Sequence, residues 1–549
     1  MPLRIVLTFL AFFWCAATAP DASAQTVRPK TCLVLGGGGA RGAAHIGVLK
    51  VLEREHVPID CITGTSMGAI VGGLYAAGYK ADEIETVLKG IDWKEMFQDD
   101  PPREELPMRR KEDELRFLGG VELGLRDGKV AFPRGVIQGQ KLQLLLKRLL
   151  LSTVKTQDFD DLPIPFRSVA TDIGSGERVV FARGDLATAI RASMSVPAAF
   201  APIRYQGHLL VDGGITDNVP IDVARELGAR RLIVVSVGMP LTSEDQLNSP
   251  FAIADQMLNA MMKRQADEQL RSLGPDDLLL TPDLGDVTSA DFNRSPDAVR
   301  SGLATAEAKL QDVRRFGADA AEYTDFVAHH RQRAFDAPLI AFLDVQRGRS
   351  RTAGYVEQHL SSLVGKPFVP ETVEKEIGVA YGEGSYERIT YEIVDRDGQT
   401  GLSVLPVDKG WGPTFVRIGL RLSDNFAGRN SYQLLSELNF TGLNDYGGES
   451  RNRIELGQVT ELYSEFLQPF GTQGQFYVAP YLDYSAYNFP ISTGGDIDIA
   501  EYRRNRIAGA LEFGWTPNAS WQFSGALEYG RDRLNLRVGA PDQLPNFSS

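Results

Sequence analysis

At 549 residues the chain is too long for a single hydrophobic core, so it divides into three or more domains. Its 43% hydrophobic and 23% charged residues are ordinary globular composition and exclude wholesale disorder. A formal net charge of −13 excludes a nucleic-acid partner, because binding a phosphate backbone needs a basic surface.

At the N-terminus, Arg4 precedes the apolar run IVLTFLAFFWCAATA, followed by the small-x-small triplet Ala22-Ser23-Ala24. Residues 1–24 read as a secretory signal peptide cut after Ala24. The apolar run falls short of the roughly 20 residues a spanning helix needs, and no lipobox-like segment precedes Cys15. Cleavage leaves Cys32 and Cys61, each in a short apolar stretch. Parallel strands rarely offer disulfide geometry, so these are expected to be buried free thiols. No Cys/His cluster has metal-ligand spacing; neither a metal nor a cofactor is expected.

Residues 25–335 make the first expected domain, with an α/β core over 31–236. The apolar runs TCLVLG, IDCITG, FRSVATDI, LLVDGG and RLIVVSVG alternate with helical stretches. The charged, proline-bearing segment from Gln98 to about Gly139 reads either as a flap over a site or as a surface loop. Residues 251–335, helical and polar, complete the domain.

The first strand runs into Gly36-Gly37-Gly38-Gly39, then Arg41-Gly42 and a helix. Gly37, Gly39 and Gly42 match GxGxxG, but the next strand ends in GTSMG rather than in the acid a dinucleotide site requires. Bare amides at a helix start can instead hold a developing oxyanion. Gly64-Thr65-Ser66-Met67-Gly68 is a G-x-S-x-G between strand and helix, the context of a nucleophile elbow. A serine needs a base. Among the six histidines, His45 reads as packing or capping, His56 precedes a turn, and His208 stands before the strand LLVDGG. His329, His330 and His359 fall in polar helices, so a triad is poorly supported. Asp212, at a strand end before Gly213 and Gly214, is the candidate base; alone it would read as a turn aspartate.

The ordered set Gly37 to Gly42, Gly64 to Gly68 and Asp212-Gly213-Gly214 resembles the patatin-like phospholipases over about residues 31–236. The stretch ASMSVPAAFAP at 192–202 and Asn218-Val219-Pro220 are similar too. The resemblance implies a three-layer α/β fold and a Ser–Asp dyad without histidine. Ser66 would attack a lipid ester, Asp212 would take its proton and later activate water, and Gly37, Gly38 and Gly39, with Arg41 assisting, would steady the oxyanion. An acyl-enzyme would then release fatty acid. No calcium ligands are implied.

Residues 337–408 read strand, helix, helix, strand, strand, with a hairpin turn at Asp397-Gly398. This order resembles the polypeptide-transport-associated (POTRA) repeat, a small α+β unit. From 413 to 549, segments near ten residues alternate apolar and polar; in FVRIGLRL, Val416, Ile418, Leu420 and Leu422 oppose Arg417 and Arg421. That is the pattern of transmembrane β-strands. About seven strands fit, fewer than the eight of the smallest single-chain barrels, so a partial, truncated barrel is expected. The full order resembles patatin-bearing outer-membrane autotransporters. It implies export, an outer-membrane location, dealings with the barrel-assembly machinery, and a hydrolase displayed at the cell surface or secreted. Homo-oligomer formation stays open. The competing expectation is an outer-membrane transport or insertion factor whose N-terminal domain is not catalytic.

Overall fold

The computed structural model describes residues 28–539, apart from 118–121, 239, 242, 425–429, 472 and 494–496. The expected signal peptide and the terminal LPNFSS lie outside these residues.

The strands in chain order are β1 (Thr31–Leu35), β2 (Cys61–Thr65), β3 (Leu123–Arg126), β4 (Lys129–Ala131), β5 (Phe166–Asp172), β6 (Arg178–Phe181), β7 (Ile203–Tyr205), β8 (His208–Asp212), β9 (Arg231–Val235) and β10 (Leu278–Leu280). All but β3 and β4 form one sheet in the order β10-β9-β1-β2-β5-β8-β7, with β6 paired to β5. From β10 to β5 the pairing is parallel, which buries both faces and explains why these strands read as apolar runs. Alternation then splits the core. Leu33 and Leu35 pack on one face with Ile62 and the helices 44–54 and 67–76. Cys32 and Val34 pack on the other with Val219, Ile221 and Leu232. The result is a three-layer α/β domain, and residues between 278 and 316 add to its larger core.

Cys32 and Cys61 are not free thiols. They are register partners on β1 and β2, 4.6 Å apart at Cα, and are joined as a disulfide. Directly opposed side chains on one sheet face bring the sulfurs together, and the Cα separation lies inside the range a disulfide spans.

The second unit holds β11 (Leu343–Val345), helices Ala353–Leu360 and Pro370–Tyr381, then β12 (Tyr386–Arg396) and β13 (Gln399–Asp408). Its sheet order is β11-β13-β12, with β11 parallel to β13 and β12 antiparallel to it. Asp397 and Gly398 both take positive φ at the hairpin, as a two-residue turn of the primed type requires. The unit has its own core, into which Leu144 of the first domain inserts. Gln140 joins the two more specifically. Buried at 3% exposure, its carboxamide donates to the Ile389 carbonyl at 2.8 Å and accepts from the Ile389 amide at 2.9 Å, pairing with the edge of β12 as another strand would.

The C-terminal region is an antiparallel sheet of β14 (Thr414–Asp424), β15 (Asn430–Phe440), β16 (Glu449–Gly457), β17 (Val459–Phe470), β18 (Phe476–Thr493), β19 (Ile497–Asn518) and β20 (Trp521–Val538). Its polarity is reversed from that of a water-soluble sheet. Glu437, Asn439, Glu449, Arg451, Arg453 and Glu465 are buried, while Leu420, Leu422, Leu482, Ile507, Leu527 and Tyr529 are each at least 62% exposed.

The segment 98–139 is neither a flap nor a loose loop. It forms the helix Met108–Arg116 and the hairpin β3–β4, and β3 pairs with β14, so the sheet has nine strands among the described residues. The Asp127-Gly128 turn, with φ of 52° and 74°, is the hairpin signal that marks it. Arg109 bonds to Glu449 at 3.1 Å and also to Glu465; Arg110 reaches Glu449 at 3.0 Å, and Lys111 reaches the Ala519 carbonyl at 2.7 Å. The turns 441–448 and 519–520 and the connection of β17 to β18 all lie at one end of the sheet. That end also meets the second unit: Tyr355 and Gly354 amides donate to Asp445 at 2.9 Å and 3.0 Å.

Candidate active site

The register of the first sheet aligns the two candidate catalytic residues. Thr65 of β2 is level with Val169 of β5, and the following residue, Ala170, pairs with Asp212 of β8. Ser66 and Asp212 therefore stand at one level, two strands apart, with only the small Ala170 between them. Strand spacing makes that about 10 Å of backbone separation, which two inward side chains can span.

Ser66 sits between β2 and the helix Met67–Ala76 with φ 54° and ψ −121°, a strained position for a non-glycine residue. The turn is tight enough that a β-carbon at Gly68 would run into the Leu35 carbonyl. Gly64 and Gly42 are packed as closely, against Gly68 and Met67. Gly68→Ala is accordingly expected to destabilise the domain by about 1–3 kcal/mol, the usual cost of overpacking, and to show as a lowered Tm in thermal unfolding.

The elbow is braced by residues the sequence reading grouped but gave no role. Ser193 Oγ accepts from the Ser66 amide at 2.9 Å; the Ser195 carbonyl accepts from the Asp212 amide at 2.9 Å, and the Ser193 carbonyl from Gly213 at 3.2 Å. Two buried serines inside the apolar run ASMSVP were the available signal.

Asp212 is 3% exposed. Its Oδ1 accepts from the Gly214 amide at 2.8 Å, while Oδ2 is buried and completes no hydrogen bond of normal geometry. Burial pushes the carboxyl up to about 6; the Gly214 amide and the nearby Ser66 hydroxyl act in the opposite direction.

In the glycine loop, the Gly37 amide is already spent on the Asn218 carbonyl at 3.1 Å, whereas among the described residues the amides of Gly38 and Gly39 find no acceptor. Gly39 has φ 57°, and a β-carbon there would collide with Ser289, so only glycine fits. Arg41 lines the same cavity as Ser66 and Asp212. Its guanidinium donates to the carbonyls of Val237, Val287 and Gly238 at 3.0, 2.6 and 2.9 Å, clamping two loops. His45 is buried, and desolvation lowers its pKa to about 4, so it is neutral; its Nε2 donates to the Gly36 carbonyl at 2.8 Å. His208 opens β8, four residues or about 13 Å of strand from Asp212, and bonds Asp172 at 2.8 Å instead.

Ser66, Asp212 and the glycine loop line one cavity of about 880 Å³, whose other walls include Ile70, Phe97, Ile137, Met194, Phe200, Met262 and Phe292. Among the described residues no cluster of His, Cys, Asp or Glu could hold a metal.

Residues 33–225 match the profile of the family described as Patatin-like phospholipase. The chain carries a patatin-like phospholipase domain. A patatin-like phospholipase domain-containing protein of Caenorhabditis elegans is 35% identical over 208 residues, 38% of this chain and 13% of that protein. An uncharacterized NTE family protein of Mycobacterium tuberculosis is 35% identical over 209 residues, 38% of this chain and 49% of that protein. The similarity thus spans half or less of these relatives. Among solved structures, VipD from Legionella pneumophila has a TM-score of 0.29 at 14% identity, covering 65% of this chain and 74% of that one. The motif glycines from Gly36 to Gly214 fall inside the matched residues; Gly37, Gly38 and Gly39 line the cavity, while Gly213 is packed against Val169 and Gly214 against Met262.

Proposed function

We propose that the protein is a serine lipid acyl hydrolase of phospholipase A type that works through a Ser66–Asp212 dyad. The observation that carries this reading is the strained Ser66 elbow, level with a buried carboxylate, in a cavity walled by aliphatic and aromatic side chains. Asp212 takes the Ser66 proton as Oγ attacks the ester carbonyl. The unspent amides of Gly38 and Gly39 donate to the oxyanion, where such preorganised donors act strongly. Gly37 and Arg41 then serve the loop's shape rather than the charge. The acyl chain lies along the apolar walls, and water releases it as fatty acid.

The βααββ unit is read as POTRA-like and the C-terminal sheet as part of an outer-membrane barrel. The buried charges and outward leucines of that sheet support a lipid surrounding, since lipid-facing and inward residues alternate in this sense. Export through an N-terminal signal peptide and dealings with barrel-assembly machinery belong to the same reading.

The test is fatty-acid release from phospholipid vesicles by the full chain. A base must be ionised to accept a proton, so kcat/KM should rise with pH through about 6 and then level off. Asp212→Asn should remove both the activity and that rise. It should also stabilise the fold at pH 7, by about 2–3 kcal/mol at 1.36 kcal/mol per pKa unit. Burying an ionised Asp212 weakens the native state above pH 6, and that penalty vanishes below the unfolded pKa, where the carboxyl is protonated in both states. A wild-type rate in Asp212→Asn would sink the dyad.

A further inference from the structure

The cavity that holds Ser66 has two unlike ends. It lies beyond the C-terminal ends of β1, β2, β9 and β10, where Gly37, Ser66, Ser236 and Thr281 line it. Its walls therefore come from both faces of the sheet. On the face of Cys32 and Val34, the helix Pro250–Leu270 supplies a mixed wall: Ala266 and Leu270 beside Asn259, Lys263 and Asp267. On the face of Leu33 and Leu35, the wall is built from Ile70, Met194, Phe97, Phe200 and Phe292, all apolar. A lipid ester is divided in the same way, into a hydrocarbon acyl chain and an alcohol half that carries the polar head.

The three phenylalanines come from distant parts of the chain and meet as one surface. Phe97 stands edge-on to Phe200 at 5.6 Å and to Phe292 at 5.1 Å between ring centroids. Each ring is held from behind by a group that does not itself line the cavity. Trp93, 6% exposed, stacks on Phe292 at 4.3 Å and packs on Phe97 at 5.7 Å. The fully buried Arg191 guanidinium lies 4.9 Å over the Phe200 ring. Arg191 is fixed in turn, donating to Ser195 Oγ at 2.7 Å and to the Gln138 carbonyl at 3.1 Å. A ring backed in this way resists displacement, whereas an unbranched side chain such as Met194 adapts to what it meets.

We infer that Phe97, Phe200 and Phe292 are the floor of the acyl site and set the longest acyl chain that is cleaved rapidly; this rests on the Ser66–Asp212 reading. The chain runs from Ser66 past Ile70, one helical turn along, and ends against the rings. The alcohol half lies toward the helix Pro250–Leu270. A chain that just reaches the floor buries all of its methylenes. One that is longer must push aside a backed ring, and a single methylene misfitted in an apolar pocket changes kcat/KM by about 10-fold or more.

The experiment measures kcat/KM of the full chain for p-nitrophenyl esters from butanoate to octadecanoate, in mixed micelles of one detergent composition. The wild type should show a rise with chain length and then a steep fall. Phe292→Ala and Phe97→Ala should each move the fall to longer chains, raising by about 10-fold or more the ratio of the first rejected chain to the last accepted one. Phe97→Trp should move it to shorter chains. Each ratio compares two substrates on one preparation, so a partly unfolded variant still reports it. Leu270→Ala, at the mixed end, should leave the position of the fall unchanged. A fall that stays in place in all three phenylalanine variants, or that moves in Leu270→Ala instead, overturns the floor assignment. Ser66→Ala separates the two readings. If it still hydrolyses the esters, the nucleophile is misassigned and this inference goes with it; if it is inactive while the fall stays in place, the role of the phenylalanines alone is lost.

Discussion

Ser66→Ala is expected to abolish fatty-acid release by the full-length protein while leaving its melting temperature nearly unchanged. Loss of one oxyanion donor alone costs on the order of 10²–10³ in rate, and the remaining groups have nothing to activate once the hydroxyl is gone. The alanine inherits the backbone of Ser66, φ 54° with ψ −121°, so it neither adds nor removes strain. Glycine differs. Ser66→Gly should be equally inactive yet more stable, by about 1 kcal/mol or more, because glycine adopts that region freely. Thermal unfolding of the two variants checks the pair. A glycine variant less stable than wild type would mean that the elbow stores no strain.

The second large effect concerns the C-terminal sheet. Leu420 is 67% exposed on β14. In water, Leu420→Arg would cost within about 0.5 kcal/mol, as exposed substitutions usually do. Against hydrocarbon the same change costs about 2–4 kcal/mol near the bilayer midplane. Denaturant unfolding of the protein reconstituted in phospholipid vesicles separates the two. A near-zero cost would refute the lipid-facing reading. Ser524→Arg, placed on a polar position of β20, gives the matched substitution in the same sheet and should cost less than Leu420→Arg.

The central strands were legible because parallel pairing leaves long apolar runs, and Ser66 because G-x-S-x-G fell between strand and helix. The outward face of β14 was equally plain from its alternation. Other features were not, for physical reasons. Asp212 owes its place to register: only the pairing of β5 with β2 and β8 brings it level with Ser66. Arg41 read as a charge aimed at the oxyanion, yet carbonyls of residues 237, 238 and 287, nearly two hundred or more positions away, claim it. The Cys32–Cys61 disulfide depended on those residues being directly opposed, and a run of apolar letters does not encode register. The hairpin β3–β4 was hidden by its brevity, with four and three residues against the long strand it joins.

The bonds of Arg109, Arg110 and Lys111 to the turn end of the C-terminal sheet carry a topological consequence. If that sheet spans a bilayer, its two ends open into different aqueous compartments. The hydrolase then shares a compartment with the βααββ unit, and the leaflet within its reach is the one on that side. Display on the opposite side would require pulling Arg109 and Arg110 away from Glu449 and Glu465 and parting Gln140 from β12. Stripping one partner from a buried ion pair costs about 3–5 kcal/mol. In this docked state a bilayer-spanning sheet would leave the α/β domain facing only the leaflet on the side of the βααββ unit.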